Sequence, residues 1–342
     1  MSESANYRPW IGHDMSSSRT IYRETVIDRR SYDEPKSSGK SSKNSSKDVI
    51  KEIAKRVSVP EYIETQSKYP IIFLFDITGS MKGSPAVFFE KVPMISQYIE
   101  NDYFEKGAEI CIIAFGDAKC DNLPLQVFNF AIDRKLKETL MEIDFKEKGG
   151  GSGLCETSEQ ALLYVLKNIK MTNAVRPVVF LVTDEKSYDS VSVSSAQKHA
   201  KVDLQQEIST KEICHQLMEK CELFILRKIY DTSSSDIETN ENIHEHWKNL
   251  VGDDRISVME TPDRLADITF GILAKVTGKL EYFKKEIEER QRPDQVLSTY
   301  HSLSNILGPD FGKNGEVHGE SVMVDPESKL SMKSRKNVKP LI

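Results

Sequence analysis

Apolar residues in the middle of this chain come in continuous runs rather than alternating ones. IIFLFD (71–76), EICIIAF (109–115) and PVVFLVTD (177–184) are each apolar on successive positions, the pattern of strands buried on both faces of a parallel sheet. ELFIL (222–226) and RISVM (255–259) are shorter runs of the same kind, whereas Leu125, Val127 and Phe128/Phe130 suggest a strand nearer the sheet edge. Between these runs apolar residues recur at helical spacing: Phe88, Val92, Ile95 and Ile99, then Ala161, Leu162, Val165, Leu166 and Ile169, a helix over 207–220, and a closing series Leu265, Ile268, Ile272 and Val276. Pro93 falls inside the first series and predicts a kink or a shifted start. Strand and helix alternate throughout, so the pattern predicts an α/β fold: a doubly wound, mostly parallel central sheet with helices on both faces.

The periodicity weakens at both ends. Residues 1–68 hold the Lys/Ser alternation KSSGKSSKNSSK (36–47), which buries too little surface to offset its ordering entropy, and a short helix is expected at 48–57. One domain is expected over 69–278. Residues 279–342 begin with a charged helix (EYFKKEIEERQ, 281–291), lose periodicity and end in a basic, flexible tail. Two polar stretches, 185–206 and 230–246, each follow a strand and are expected to rise as rim loops around any site there. His244 and His246, in NIHEHW, read as part of a solvated loop rather than a metal pair.

Composition narrows the class. Of 342 residues, 38% are hydrophobic and 29% charged, enough for one sizeable core. No apolar run is long enough to span a membrane, and MSESANYRPW does not read as a secretory signal. Five cysteines (Cys111, Cys120, Cys155, Cys214 and Cys221) form no CxxC pair, which points to a reducing compartment and a cytoplasmic location. The net charge of −6 is uneven: residues 69–278 balance to −10, while 1–68 and 279–342 balance to +3 and +1. An acidic centre counts against nucleic acid as a partner.

Ligands of doubly wound sheets bind where the carboxyl ends of the strands meet their loops, and three such loops carry oxygen donors. The first strand ends in Asp76-Ile77-Thr78-Gly79-Ser80, the Gly-rich stretch 149–153 leads to Glu156-Thr157, and the fourth strand ends in Thr183-Asp184. Alternate residues of one turn can present oxygens to a common point, and Gly79 removes a side chain where the backbone comes close. Such a set suits a hard divalent cation.

These residues resemble the von Willebrand factor A (VWA) domain and its metal-ion-dependent adhesion site, through FLFDITGSM, Thr157 in GGGSGLCETSEQAL, and FLVTD. The resemblance covers roughly residues 69–278. It implies a non-enzymatic interaction or adaptor module in which Asp76, Thr78, Ser80, Thr157 and Asp184 form a metal site for Mg²⁺, with Mn²⁺ or Ca²⁺ as substitutes, and a partner protein's Asp or Glu completes the shell. Ser152 and Glu156 stand close enough to Thr157 that the second-loop ligand stays open among the three. Stand-alone proteins of this kind resemble partners of MoxR-type AAA+ ATPases or members of kinase–phosphatase clusters. The competing readings are a metal-dependent phosphate hydrolase, which lacks a visible general base, and an RNA-associated VWA protein.

Overall fold

The computed structural model describes residues 59–81, 83–104, 107–144, 154–230 and 237–311. The expected helix at 48–57, the Gly-rich stretch 149–153 with Ser152, and the C-terminal tail lie outside them.

Six strands form one sheet: β1 (Tyr69–Asp76), β2 (Ala108–Phe115), β3 (Leu125–Val127), β4 (Val178–Thr183), β5 (Glu222–Lys228) and β6 (Ile256–Met259). Their spatial order is β6-β5-β4-β1-β2-β3. Every neighbouring pair is parallel except β2 with β3, so the α/β expectation holds. Phe73 of β1 pairs with Ile112 on one side and Phe180 on the other. Alternate β1 residues then serve opposite layers: Ile71, Phe73 and Phe75 in one core, Ile72 and Leu74 in the other. That is why the strand reads as an unbroken apolar run.

The second core is closed by α3 (Ser158–Asn168), α4 (Thr210–Met218) and α5 (Ile237–Val251). The first is closed by α1 (Ser84–Tyr98), α2 (Asp133–Glu142), α6 (Leu265–Thr277), α7 (Leu280–Arg290) and α8 (Pro293–Leu307). Helix α1 runs through Pro93 with Pro85 in its first turn. Its start is therefore set by Ser84 and Pro85, where proline's missing N–H is harmless.

Two expectations need correction. The 230–246 stretch is not simply a rim loop. From Ile237 it is helix α5, whose Ile243, Trp247 and Val251 are buried at four-residue spacing, so deleting it would remove a core helix. Nor does periodicity end at residue 291. Helix α8 buries Val296, Tyr300, Leu303 and Ile306 against the same core as α6 and α7. Gly271 of α6 permits this approach: a Cβ there would lie 2.3 Å from Leu303 Cδ1 and 3.1 Å from the Phe283 ring. The 185–206 stretch is also ordered locally. Ser190–Val191 pairs antiparallel with Ile208–Ser209, and Val191, Ala196, Ala200 and Val202 join the second core.

If α8 is an integral layer, Leu303→Ala should destabilise the protein by about 2–5 kcal/mol in urea denaturation. Leu297→Ala on the exposed side of the same helix should change stability by less than about 0.5 kcal/mol. Equal effects at the two positions would contradict this packing.

Candidate metal-binding site

After β1 the chain moves outward to β2 and β3, then returns to place β4 on the other flank of β1. The carboxyl ends of β1 and β4 thus bracket the point where strand order reverses, the place such sheets open a crevice. Asp76 ends β1 and Asp184 follows β4, and both are fully buried.

The Asp76–Ser80 turn is organised by its own side chains. Thr78 donates to Asp76 Oδ1 through its N–H (2.9 Å) and its hydroxyl (2.6 Å), an Asx-type turn. The Thr183 hydroxyl donates to Asp76 Oδ2 at 2.9 Å. The Ser80 hydroxyl donates to Asp184 Oδ1 at 2.9 Å and so joins the two loops. Thr78 Oγ1 and Ser80 Oγ lie 3.1 Å apart. Ser80 is also hydrogen-bonded to Glu185. Each hydroxyl oxygen carries two lone pairs, so each can accept a cation while it hydrogen-bonds to a carboxylate.

Lys228, at the end of β5, closes the far side. Its Nζ donates to Asp184 Oδ2 at 3.0 Å, to Ser80 O at 3.3 Å and to Ile229 O at 3.1 Å.

Four of the five residues singled out from the sequence, Asp76, Thr78, Ser80 and Asp184, are thus joined in one network. Thr157 is engaged elsewhere. It precedes α3 and its hydroxyl accepts from Ala118 N–H (2.6 Å) and meets Asp117 Oδ1 at 3.4 Å. Buried Asp117 also accepts from the Tyr188 hydroxyl (3.1 Å) and Lys119 N–H (3.0 Å), an arrangement with no signature in the sequence.

The surroundings are strongly acidic. Burial, and then the charge of Asp184, hold Asp76 well above the usual carboxylate range. Burial and neighbouring Asp76 do the same to Glu156, and burial followed by Asp76 and Asp184 pushes Glu185 to about 8. Glu156 Oε2 and Glu185 Oε2 are buried without a hydrogen-bond partner. Unpaired buried carboxylate oxygens are costly, and all the donors gathered here are oxygens, so the residues present suit a hard divalent cation. Among the described residues no three His, Cys, Asp or Glu side chains group so as to hold a metal by themselves. Coordination would therefore depend on the hydroxyls.

The histidines serve the frame. His244 Nε2 lies 2.9 Å from Asp253. His246 Nε2 accepts from Ser187 N–H at 3.2 Å and contacts the Ser187 hydroxyl at 2.8 Å, while Trp247 Nε1 donates to Glu185 O at 2.9 Å. Two consecutive side chains of α5 thus tie down the segment after Asp184, which corrects the expectation of a solvated loop. All five cysteines are free thiols.

No protein-family model matches the chain, and no curated protein matches it in sequence. Among solved structures, the pilus adhesin SpaC of Lactobacillus rhamnosus GG in its open conformation aligns at 11% identity and a TM-score of 0.41, over 67% of this chain and 31% of the adhesin. Proximal thread matrix protein 1 of the mussel byssus aligns at 12% identity and 0.41, over 64% of this chain and 47% of its own. Its form with a zinc-occupied metal-ion-dependent adhesion site aligns at 12% and 0.38, over 65% and 49%. The chain therefore spans less than half the length of each, and at these scores the matches carry no functional weight.

His246 supplies a test of the frame. Burial, then Lys186, lower its pKa from 6.5 to about 4, as expected where Nε2 must keep a lone pair for Ser187 N–H. Between these values the unfolded chain binds a proton that the folded chain does not. Stability is then unaffected above pH 6.5 and falls as pH drops toward 4, by at most about 3 kcal/mol. Buried acids titrate with the opposite sign, so the clean measurement is the difference between wild type and His246→Gln in urea denaturation across that window. The wild-type advantage should shrink as pH falls; parallel curves would contradict the assignment.

Proposed function

We propose that this chain is a protein-interaction module that depends on a divalent cation, Mg²⁺ with Mn²⁺ or Ca²⁺ as substitutes, at the crevice between β1 and β4. The observation that carries the reading is the pair of hydroxyl oxygens, Thr78 Oγ1 and Ser80 Oγ, 3.1 Å apart and each hydrogen-bonded to a buried aspartate, Asp76 and Asp184, from two loops. Thr78 and Ser80 would hold the cation through those lone pairs. Asp76 and Asp184 would orient the hydroxyls and supply negative charge. Glu156, whose Oε2 is buried without a hydrogen-bond partner, would complete the protein's share from the second loop, or Thr157 once its hydroxyl leaves Asp117.

When bound, the cation supplies positive charge at the surface end of an otherwise acidic crevice. An Asp or Glu of a partner protein is the matching chemistry. Partner classes consistent with the sequence resemblance are a MoxR-type AAA+ ATPase and a kinase or phosphatase, met in the cytoplasm. This chain's own contribution would be an acidic, preorganised cluster whose hydroxyls are held by carboxylates that burial keeps out of water.

The reading is tested by capture of partners with wild type and Asp76→Asn, each in Mg²⁺ or EDTA. A protein retained only by wild type with Mg²⁺ is expected; identical capture in all four conditions would contradict the proposal. The same variant has a second predicted phenotype. Replacing a buried carboxylate that repels Asp184 should leave stability without added cation unchanged or raised, within about 1 kcal/mol. A large loss would mean that Asp76 serves the fold rather than a ligand.

A further inference from the structure

We infer that Lys228 is a built-in counter-ion to this site: its ammonium satisfies Asp184 when no metal is bound, and a divalent cation must bind against it. The inference rests on the cation-site reading and adds a residue that sets the site's affinity.

Sheet register brings the two residues together. Arg227 of β5 pairs with Thr183 of β4, so the next residues on each chain, Lys228 and Asp184, emerge side by side at the carboxyl edge. The lysine side chain is 10% exposed and the aspartate 0%. The three ammonium protons match three acceptors on three segments: Asp184 Oδ2, the Ser80 carbonyl on the β1 loop, and the Ile229 carbonyl at the end of β5. Asp184 Oδ1 is taken by Ser80, and the two oxygens of Asp76 by Thr78 and Thr183. All four aspartate oxygens therefore have a hydrogen-bond partner without a metal.

Such a pair acts in two ways. It removes the penalty of leaving Asp184 buried and uncompensated. It also offsets part of the negative charge of the two aspartates, and places a positive charge beside the position a cation would take. Like charges at short range in a buried site repel strongly. Lys228 therefore stabilises the site without metal and weakens cation binding. A partner carboxylate that adds negative charge would then be needed for tight retention, which couples metal binding to partner binding.

The experiment titrates Mn²⁺ into wild type, Lys228→Met and Lys228→Gln by calorimetry, with thermal unfolding in parallel. The variants should be less stable without Mn²⁺. They should bind it about tenfold more tightly, equivalent to roughly 1.4 kcal/mol, and show the larger Mn²⁺-induced rise in Tm. Binding by a variant where wild type shows none supports the inference equally. Should both variants fail to fold, wild type alone decides through acetic anhydride labelling read by mass spectrometry. Lys228 should label faster with Mn²⁺ than without, relative to exposed Lys248. Equal or weaker Mn²⁺ binding in the variants, or unchanged labelling where wild type binds Mn²⁺, overturns the counter-ion role and leaves the cation site standing. No Mn²⁺ binding by any of the proteins overturns the cation reading and the inference with it.

Discussion

Two carboxylates held out of water on adjacent strands are the constraint to which the rest of the site answers. Asp76 and Asp184 end β1 and follow β4, and because those strands pair directly their charges cannot separate without breaking the centre of the sheet. Charge burial of this kind is tolerated only with compensation. The fold supplies it from three directions: hydroxyls of Thr78, Thr183 and Ser80, the Thr78 N–H, and the Lys228 ammonium. Each of these donors is local to the sheet's carboxyl edge, so the site exists only when the sheet is assembled.

The layers around the sheet keep that edge in place. On one side the aromatic cluster Phe73, Phe75, Phe88 and Phe180 packs β1 against α1 and β4. On the other, His246 and Trp247 of α5 fasten the 185–187 segment, directly after Asp184. Interior packing transmits displacement rather than absorbing it, so these distant-looking core residues set where Asp184 stands. Helix α5 therefore builds part of the frame of the site.

The central strands were legible because burial on both faces forces an unbroken apolar run, and the turn residues were legible because Asp76, Thr78 and Ser80 fall within five positions. The rest was hidden for definite reasons. Helix α5 turns only Ile243, Trp247 and Val251 fully inward amid polar neighbours, and α8 buries Thr299 and Ser302 beside its apolar residues. Both helices therefore look polar in sequence. Helix α2 buries only Leu136 and Leu140. Lys228 was missed because the apolar run ELFIL stops short of it. Its position beside Asp184 follows from the register of β5 on β4, a long-range fact that no local pattern records. The engagement of Thr157 with Asp117 depends on the packing of two loops 40 residues apart and is equally invisible in the sequence.

The central claim is that the Thr78 and Ser80 oxygens, aimed by Asp76 and Asp184, hold a divalent cation. Anomalous diffraction from crystals grown with Mn²⁺ tests it most directly. The account predicts a single strong peak at bonding distance from Thr78 Oγ1 and Ser80 Oγ, about 2.0–2.2 Å, as expected for a small cation with oxygen ligands. A crystal with no peak in the crevice between β1 and β4, or with Mn²⁺ bound only at exposed surface carboxylates, would contradict it.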